Sequence, residues 1–155
     1  NHGLIDRDTC AEYGVNSRLD VLHAAVLLYR MEKLCGVIDK RRNNVNLYRE
    51  LIQAKEVFIP TCKPHEQNAF VMFIIQAKRR DKLKEFLDGR GIQTLVYYAK
   101  ALHLQPAAKQ YNYKRGDFPV AEKQADEVLA LPHHQYLTND QIKFVSESIN
   151  EFYQL

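Results

Sequence analysis

The apolar positions of the chain predict a mixture of helices and strands, beginning with one unusually apolar helix. Residues 21–29 are apolar almost all the way round a helix, whereas a helix on the surface of a globular protein carries a single apolar stripe. We therefore expect this helix to be buried on several sides, in a larger core or a subunit interface. Ser17 and Asp20, three residues apart, form a capping-box pattern at its start.

Two amphipathic helices are predicted in the middle of the chain. The first begins after Gly36, which interrupts the helical pattern, and its apolar face consists of Ile38, Val45, Tyr48, Leu51 and Ile52. The second covers residues 81–88, with Leu83, Phe86 and Leu87 on one face. Gly89 and Gly91 follow it, and glycine readily adopts the left-handed conformation that ends a helix.

Three segments carry the composition of strands. Residues 57–59, closed by Pro60, are predicted as a short edge strand. Residues 69–75 are continuously apolar and rich in β-branched and aromatic side chains, which is typical of a central strand covered on both faces. With a further strand over residues 92–98, the pattern predicts a β-α-β unit over residues 69–98.

The last third of the chain is predicted to be mainly helical. Pro119 suits the first turn of a short helix that ends near Leu129. Thr138 and Gln141 form a second capping-box pattern. It opens a final helix, whose buried face consists of Ile142, Val145, Ile149 and Phe152. Periodicity alone therefore predicts an α/β domain with a helical N-terminal extension.

Composition mainly excludes classes of protein. The 155 residues are 46% apolar and 26% charged, as in an ordinary globular protein. A net charge of +3 does not indicate a nucleic-acid or membrane partner, and the basic runs at residues 40–42 and 78–80 are short. No signal-peptide or membrane-span pattern is present. Three cysteines without CxxC spacing predict neither a disulfide framework nor a zinc site, and they fit a cytoplasmic location.

No catalytic motif stands out in the sequence. The chain lacks GxGxxG, GxxxxGK[ST], HExxH and GxSxG patterns. Its six histidines have no ligand spacing, and the adjacent pair His133 and His134 point in different directions, so no metal site is predicted.

The strongest candidate for chemistry is the run Asn16-Ser17-Arg18. The start of a helix presents unpaired amides and the positive end of the helix dipole, so an Asn before it and an Arg in its first turn suit a phosphate or another anion. The alternative is that Asn16 and Ser17 only cap the helix and that Arg18 lies on the surface.

Several motifs in order resemble one family. Residues 14–20, Gly-Val-Asn-Ser-Arg-Leu-Asp, together with Ala24-Ala25-Val26-Leu27, resemble the DegT/StrS-type sugar aminotransferases, which are pyridoxal-phosphate enzymes of aspartate aminotransferase fold type I. The resemblance continues through residues 91–94, Gly-Ile-Gln-Thr, residues 102–107, Leu-His-Leu-Gln-Pro-Ala, and residues 118–122, Phe-Pro-Val-Ala-Glu. It covers essentially the whole chain.

The resemblance implies the C-terminal portion of such an enzyme. Residues 1–33 would be the end of the large, cofactor-binding domain with an interface helix. Residues 34–155 would be the C-terminal small domain, with a small mixed or antiparallel sheet flanked by helices. The family's cofactor-binding lysine lies in the large domain and none of the lysines here matches it, so we assign no catalytic residue and expect this chain alone to be inactive.

The resemblance also implies site residues. Asn16 would reach the pyridoxal-phosphate phosphate in the active site of the neighbouring subunit, and Arg18 would line the same pocket near the substrate. His103 and Tyr98 match family positions near the sugar nucleotide. Two departures affect this segment, because Tyr97 and Ala99 replace the family's His and Pro on either side of Tyr98.

The implied reaction is transfer of an amino group from an amino acid, expected to be glutamate, to a keto sugar nucleotide. The implied assembly is a homodimer whose active sites take residues from both subunits, without nucleic-acid or membrane partners. A second hypothesis is a non-catalytic ligand-binding or regulatory module derived from the same domain.

Overall fold

In the computed structural model, residues 19–63 and 65–154 are described. The chain forms two compact units, Asn1–Gly36 and Val37–Leu155, and each is described by itself. The described part of the first unit is dominated by helix α1, Val21–Met31, with Asp20 at its N-cap. The predicted capping residue Ser17 lies outside the described residues.

Helix α1 exposes its apolar side chains. None of its residues is buried, and Val21 and Leu22 are 84% and 81% exposed. The described residues of the chain therefore do not supply the predicted burial of this helix. The expectation that a larger body or a subunit interface covers it stays a prediction.

Helix α2, Leu34–Leu51, begins earlier than predicted. The helical pattern breaks at residues 32–33, and Gly36 lies inside α2. The predicted break at Gly36 is wrong because a single glycine destabilises a helix by only about 1 kcal/mol, which the rest of a long helix offsets. The predicted apolar face is confirmed in part, since Val45 and Tyr48 are fully buried.

The sheet has three antiparallel strands in the order β1-β2-β3: β1, Val57–Phe58; β2, Phe73–Ala77; and β3, Val128–Leu131. The predicted edge strand is confirmed as β1. The predicted central strand is confirmed as β2, but it begins only at Phe73, since the chain bends before it and Phe70 has a φ of 46°. Along β2 buried and half-buried residues alternate, so one face is fully covered and the other only in part.

The predicted β-α-β unit is wrong. Within residues 92–98 only Leu95 joins the sheet, through an isolated antiparallel bridge to Ala130. The third strand is β3, which pairs with β2 with Ile75 opposite Leu129. The helix predicted to end near Leu129 therefore included this strand, because a four-residue apolar strand that directly follows a helix carries no turn signal to separate the two.

The remaining helices agree closely with the sequence pattern. Helix α3 is Arg80–Gly89, helix α4 is Pro119–Glu127 and helix α5 is Asn139–Gln154. Gly91, with a φ of 74°, takes the predicted left-handed position after α3, whereas Gly89 lies inside the helix. The second capping box is confirmed. The backbone N–H of Gln141 donates to Thr138 Oγ1 at 3.2 Å, and the backbone N–H of Thr138 donates to Gln141 Oε1 at 3.0 Å.

The core of the second unit combines α2, α3, α5 and the covered side of the sheet. Its fully buried apolar side chains are Val45, Tyr48, Ile75, Ala77, Leu83, Leu87, Leu129, Ile142 and Ile149. Burying one Leu or Ile side chain contributes about 1.5–3 kcal/mol. Asn150 closes the end of α2, since its Nδ2 donates to Leu51 O at 2.8 Å and its Oδ1 accepts from Gln53 N at 2.8 Å. Among the described helices, none is long and apolar enough to cross a membrane.

Candidate functional site

Two of the four predicted site residues fall within the described structure. Asn16 and Arg18 lie outside the described residues. Tyr98 and His103 lie on the segment between the Leu95 bridge and two short 3-10 turns, Leu102–Leu104 and Pro106–Tyr111. The described part of the site is therefore built on this segment and on α4, which follows it.

Tyr98 lies on an open cleft. Its side chain is 75% exposed, and it borders a cleft of about 600 Å³. One wall comes from the loop and contains Tyr97, Tyr98, Lys100, Ala101, Leu102 and Gln105; the other comes from α4 and the start of β3 and contains Ala121, Gln124, Ala125 and Val128. Such a lining offers aromatic and aliphatic surface, amide groups and one ammonium group to a ligand.

His103 lies behind the loop rather than in the lining of this cleft. Its side chain is only 8% exposed, and its Nε2 is 3.0 Å from Glu122 Oε1. Its ring packs on Phe118, with 4.8 Å between the ring centroids. Of these two predicted substrate residues, Tyr98 is thus open to solvent and His103 is enclosed.

Glu122 is the residue of this region to which the sequence analysis gave no role. It is 7% exposed and lies in the first turn of α4. Its carboxylate accepts the Gly116 amide at 2.8 Å and the Phe118 amide at 3.3 Å, in addition to facing His103. Burial works against the charge, but the two amides and His103 together hold the pKa of Glu122 below its ordinary value.

A sequence signal for Glu122 was present. An acidic residue shortly after Pro119, in the first turn of a helix, lies where the amides of the helix start and the preceding loop converge. Gly116 supplies the turn before the helix with a φ of 102°, which a residue with a side chain rarely adopts. Arg115 adds a partly exposed cation to the cluster, because its Nε lies 3.9 Å from Glu122 Oε2 and its Nη2 lies 2.6 Å from Asp126 Oδ2.

A second cleft, of about 580 Å³, opens beside α5 and the end of β3. It is mainly apolar, with Met72, Leu95 and Phe144 in its lining, and it includes both His133 and Tyr97. Neither ring nitrogen of His133 has a hydrogen-bond partner. Burial, with a contribution from the Arg41 cation, lowers the pKa of His133 to about 4, so this histidine is neutral near pH 7.

Neither cleft has the lining of a metal or phosphate site. Across residues 19–63 and 65–154 no three His, Cys, Asp or Glu side chains are grouped so as to hold a metal ion. Neither lining contains a Ser, Thr or Arg side chain, the residues that commonly bind phosphate groups together with backbone amides. The arrangement instead suits a polar ligand with hydroxyl groups and an extended surface.

Comparison with known proteins gives a consistent result. The model of the DegT/DnrJ/EryC1/StrS aminotransferase family matches residues 1–150. A protein named pleiotropic regulatory protein from Geobacillus stearothermophilus is 38% identical over 91% of the chain and 39% of its own length. The dTDP-3-amino-3,4,6-trideoxy-alpha-D-glucose transaminase of Streptomyces venezuelae is 32% identical over 98% of the chain and 40% of its own length.

Solved structures agree. DesV of S. venezuelae, crystallised in complex with a ketimine intermediate, has a TM-score of 0.92 and 31% identity over 100% of this chain and 42% of its own. A DegT DnrJ EryC1 StrS aminotransferase from Brucella abortus has a TM-score of 0.87 and 31% identity over 99% of this chain and 41% of its own. The chain thus spans about two fifths of the length of these relatives.

Proposed function

Because the chain belongs to the DegT/DnrJ/EryC1/StrS aminotransferase family, we propose that it forms the C-terminal part of a sugar nucleotide aminotransferase. The proposed reaction transfers an amino group from an amino acid, with glutamate as the donor, to a keto group of a sugar nucleotide. The observation that carries this proposal is the match of residues 1–150 to the family, combined with a TM-score of 0.92 to DesV over the whole chain. We further propose that residues 1–33 end the cofactor-binding domain and that residues 34–155 form the small domain.

The proposed cofactor is pyridoxal phosphate, which supplies an electron sink for amino transfer when it is bound to a lysine. The two described clefts do not fit its phosphate, because their linings lack Ser, Thr and Arg side chains. No step of the cofactor chemistry is therefore assigned to the described residues. Asn16 is proposed as the contact to the cofactor phosphate in the neighbouring subunit, and it lies outside the described residues.

For the described residues we propose a role on the substrate side. The cleft at Tyr98 offers an exposed phenol and the Lys100 ammonium in one lining. A nucleotide sugar carries hydroxyl groups and a flat base. The phenol and the ammonium can hydrogen-bond to the hydroxyl groups, and the phenol ring can stack on the base. Arg18 is proposed as a further substrate contact. For His103, whose side chain is enclosed, the proposed contribution is to hold the segment that carries Tyr98.

The proposed assembly is a homodimer with active sites shared between subunits. Its support is the composition of α1, a helix of eleven residues with no buried position and with exposed Val21, Leu22, Val26 and Leu28. An exposed apolar surface of this kind is typical of an interaction site and not of a helix that faces solvent. The occupant we propose is the remainder of the enzyme together with the second subunit.

The experiment that tests the proposed function uses the intact polypeptide encoded by the gene that contains this chain. It is incubated with pyridoxal phosphate, [15N]glutamate and a set of dTDP-linked and UDP-linked keto sugars. The expected result is 15N in the amino sugar nucleotide, detected by mass spectrometry, and none without the keto sugar. Absence of transfer to every keto sugar tested, with the protein folded and cofactor supplied, would contradict the proposal.

A second candidate function is a regulatory or ligand-binding module. It is favoured by one observation, the name pleiotropic regulatory protein carried by a relative of 38% identity. Such a protein would bind a nucleotide sugar without transferring an amino group. Isothermal titration with the same sugar nucleotides, combined with the 15N transfer assay, separates the two candidates. Both would bind the sugar nucleotide, but only the enzyme would transfer the amino group.

A further inference from the structure

We propose that Glu122 is a positioning residue that joins the two walls of the cleft at Tyr98, through its contact with His103. This inference rests on the proposed function in one respect, because it takes that cleft as the place where the nucleotide sugar binds. It goes beyond that function in assigning a role to a residue that does not line the cleft.

The Glu122 carboxylate is enclosed, and both of its oxygens accept hydrogen bonds. Its oxygens accept the Gly116 amide at 2.8 and 2.9 Å and the Phe118 amide at 3.3 Å, and Oε1 lies 3.0 Å from His103 Nε2. A carboxylate has about four lone-pair positions, so these partners satisfy a group that is only 7% exposed. A buried carboxylate without such partners would be strongly unfavourable, which makes this arrangement specific rather than incidental.

The sequence neighbours of His103 and Glu122 form the two walls of the cleft. Leu102 and Gln105, on either side of His103 in the sequence, belong to the loop wall. Ala121, Gln124 and Ala125, around Glu122 on α4, belong to the opposite wall. The contact of 3.0 Å between His103 and Glu122 therefore ties one wall to the other from behind and sets the distance between them.

The contacts of Glu122 require a carboxylate of this length. The Gly116 amide donates to both carboxylate oxygens, so a glutamine at position 122 would present its NH2 group to this donor in either orientation. When the NH2 group replaces Oε1, it also faces the Phe118 amide, a second donor. An aspartate is one methylene shorter and cannot keep both the amides and His103 at these distances. Neither Glu122 nor His103 lines the cleft, so their effect on a substrate passes through the walls and not through direct contact.

The kinetic test compares Glu122→Gln with Glu147→Gln in the intact holoenzyme. Glu147 is 64% exposed on α5 and serves as the matched control. For Glu122→Gln we expect KM for the nucleotide sugar to rise about 10-fold, the scale of one charge-assisted hydrogen bond. The half-reaction with the amino donor alone should change by less than about 2-fold, because that step does not use the cleft. If the substitution only reduced the amount of folded enzyme, the rate of the half-reaction with the amino donor and the rate with the nucleotide sugar would fall together.

The structural test uses hydrogen exchange on the same holoenzymes and needs no activity. In Glu122→Gln, exchange should accelerate both at residues 102–105 and at the amides of Gly116 and Phe118. In His103→Phe, which keeps a ring against Phe118 and removes the contact to Glu122, exchange should accelerate at residues 102–105 only. This pattern follows if one carboxylate holds two segments and the histidine holds one of them.

The outcomes separate this inference from the proposed function. Wild-type enzyme without amino transfer would contradict the function, while the exchange pattern still decides whether Glu122 joins the two segments. Exchange and KM in Glu122→Gln equal to those in Glu147→Gln would overturn the positioning role. If Glu122→Gln does not fold, His103→Phe decides: a selective rise in KM with faster exchange at residues 102–105 supports the role, and unchanged values overturn it.

Discussion

The Tyr48 hydroxyl donates a hydrogen bond to the carbonyl oxygen of Pro132, 2.9 Å away, across the boundary between helix α2 and the segment after β3. About one turn earlier, Asn44 Nδ2 donates to the His134 carbonyl at 3.0 Å. The Tyr48 ring also stacks on Phe73, with 5.2 Å between centroids, and its burial raises the pKa of Tyr48 above the ordinary value. Helix α2 thus fixes the segment that carries His133 and one side of the second cleft.

Replacing Tyr48 by Phe tests this link. The ring and its stacking remain, but the Pro132 carbonyl loses its donor, so the free energy of unfolding should fall by about 1–3 kcal/mol. Urea denaturation of the chain measures the change. Tyr136→Phe is the matched control, since Tyr136 is 80% exposed and its substitution should leave the midpoint unchanged. Equal midpoints for the two variants would show that the bond to Pro132 contributes nothing to stability.

His133 should make stability depend on pH in a defined window. Burial lowers its pKa from 6.5 to about 4 in the folded chain. Between these values the unfolded chain binds a proton that the folded chain does not. The free energy of unfolding therefore falls as pH is lowered from 6.5 towards 4, and the stability that the neutral His133 contributes is fully present above pH 6.5. His133→Phe should flatten the profile in this window, as measured by urea denaturation at several pH values. A slope identical to that of the wild type would show that His133 is not responsible.

Glu122 should act on stability at lower pH. Its folded-state pKa lies below the ordinary 4.5 because of the Gly116 and Phe118 amides and His103, which outweigh burial. Its contribution is therefore present above pH 4.5 and is lost as pH falls through the folded-state pKa. Glu122→Gln should remove this acid sensitivity. The profile of unfolding against pH, followed by circular dichroism, checks it, and an unaltered acid limb in the variant contradicts the assignment.

Salt distinguishes Glu122 from a surface pair. The hydrogen bond from Arg90 lowers the pKa of Glu151, but both side chains are partly exposed, at 31% and 49%. Added salt screens exposed charges and affects enclosed ones much less. The stabilising effect of Glu151, measured as the difference between wild type and Glu151→Gln, should therefore shrink at high salt, while that of Glu122 persists. Equal salt sensitivity of the two differences would count against an enclosed Glu122.

Asn16→Ala in the intact enzyme tests the proposed cofactor contact. Loss of a hydrogen bond to the cofactor phosphate should weaken retention of pyridoxal phosphate by about 1.5–3 kcal/mol. Equilibrium dialysis against the cofactor gives the affinity, with Asn43→Ala, on the exposed side of α2, as the control. Unchanged affinity in Asn16→Ala would remove Asn16 from the site.

Elements with strong local signals could be predicted from the sequence. Helix α5 has a capping box at Thr138 and Gln141 and a regular apolar face, and both signals are local to the helix. The sheet was harder, because β3 is short and follows α4 without a turn, and because Leu95 meets Ala130 through a single bridge. Strand pairing depends on residues distant in sequence, which periodicity does not encode.

The same difference between local signals and contacts of distant residues applies to the candidate site. Tyr98, predicted as the last residue of a strand, lies on an exposed loop instead, and its substrate contact stays a prediction. The Glu122 cluster was missed because its partners Gly116, Phe118 and His103 come together only once the loop is folded. A sequence motif gives only the residue types. The burial and the partners that give Glu122 its role arise only in the folded chain.

The measurement that tests the central claim most directly is the absorption spectrum of the intact polypeptide after reconstitution with pyridoxal phosphate. We predict a visible band from lysine-bound cofactor, which disappears when glutamate is added and returns when a keto sugar nucleotide is supplied. The 155-residue chain under the same conditions should show only free cofactor. An intact, folded polypeptide that binds no cofactor and shows no such band would contradict its assignment as an aminotransferase.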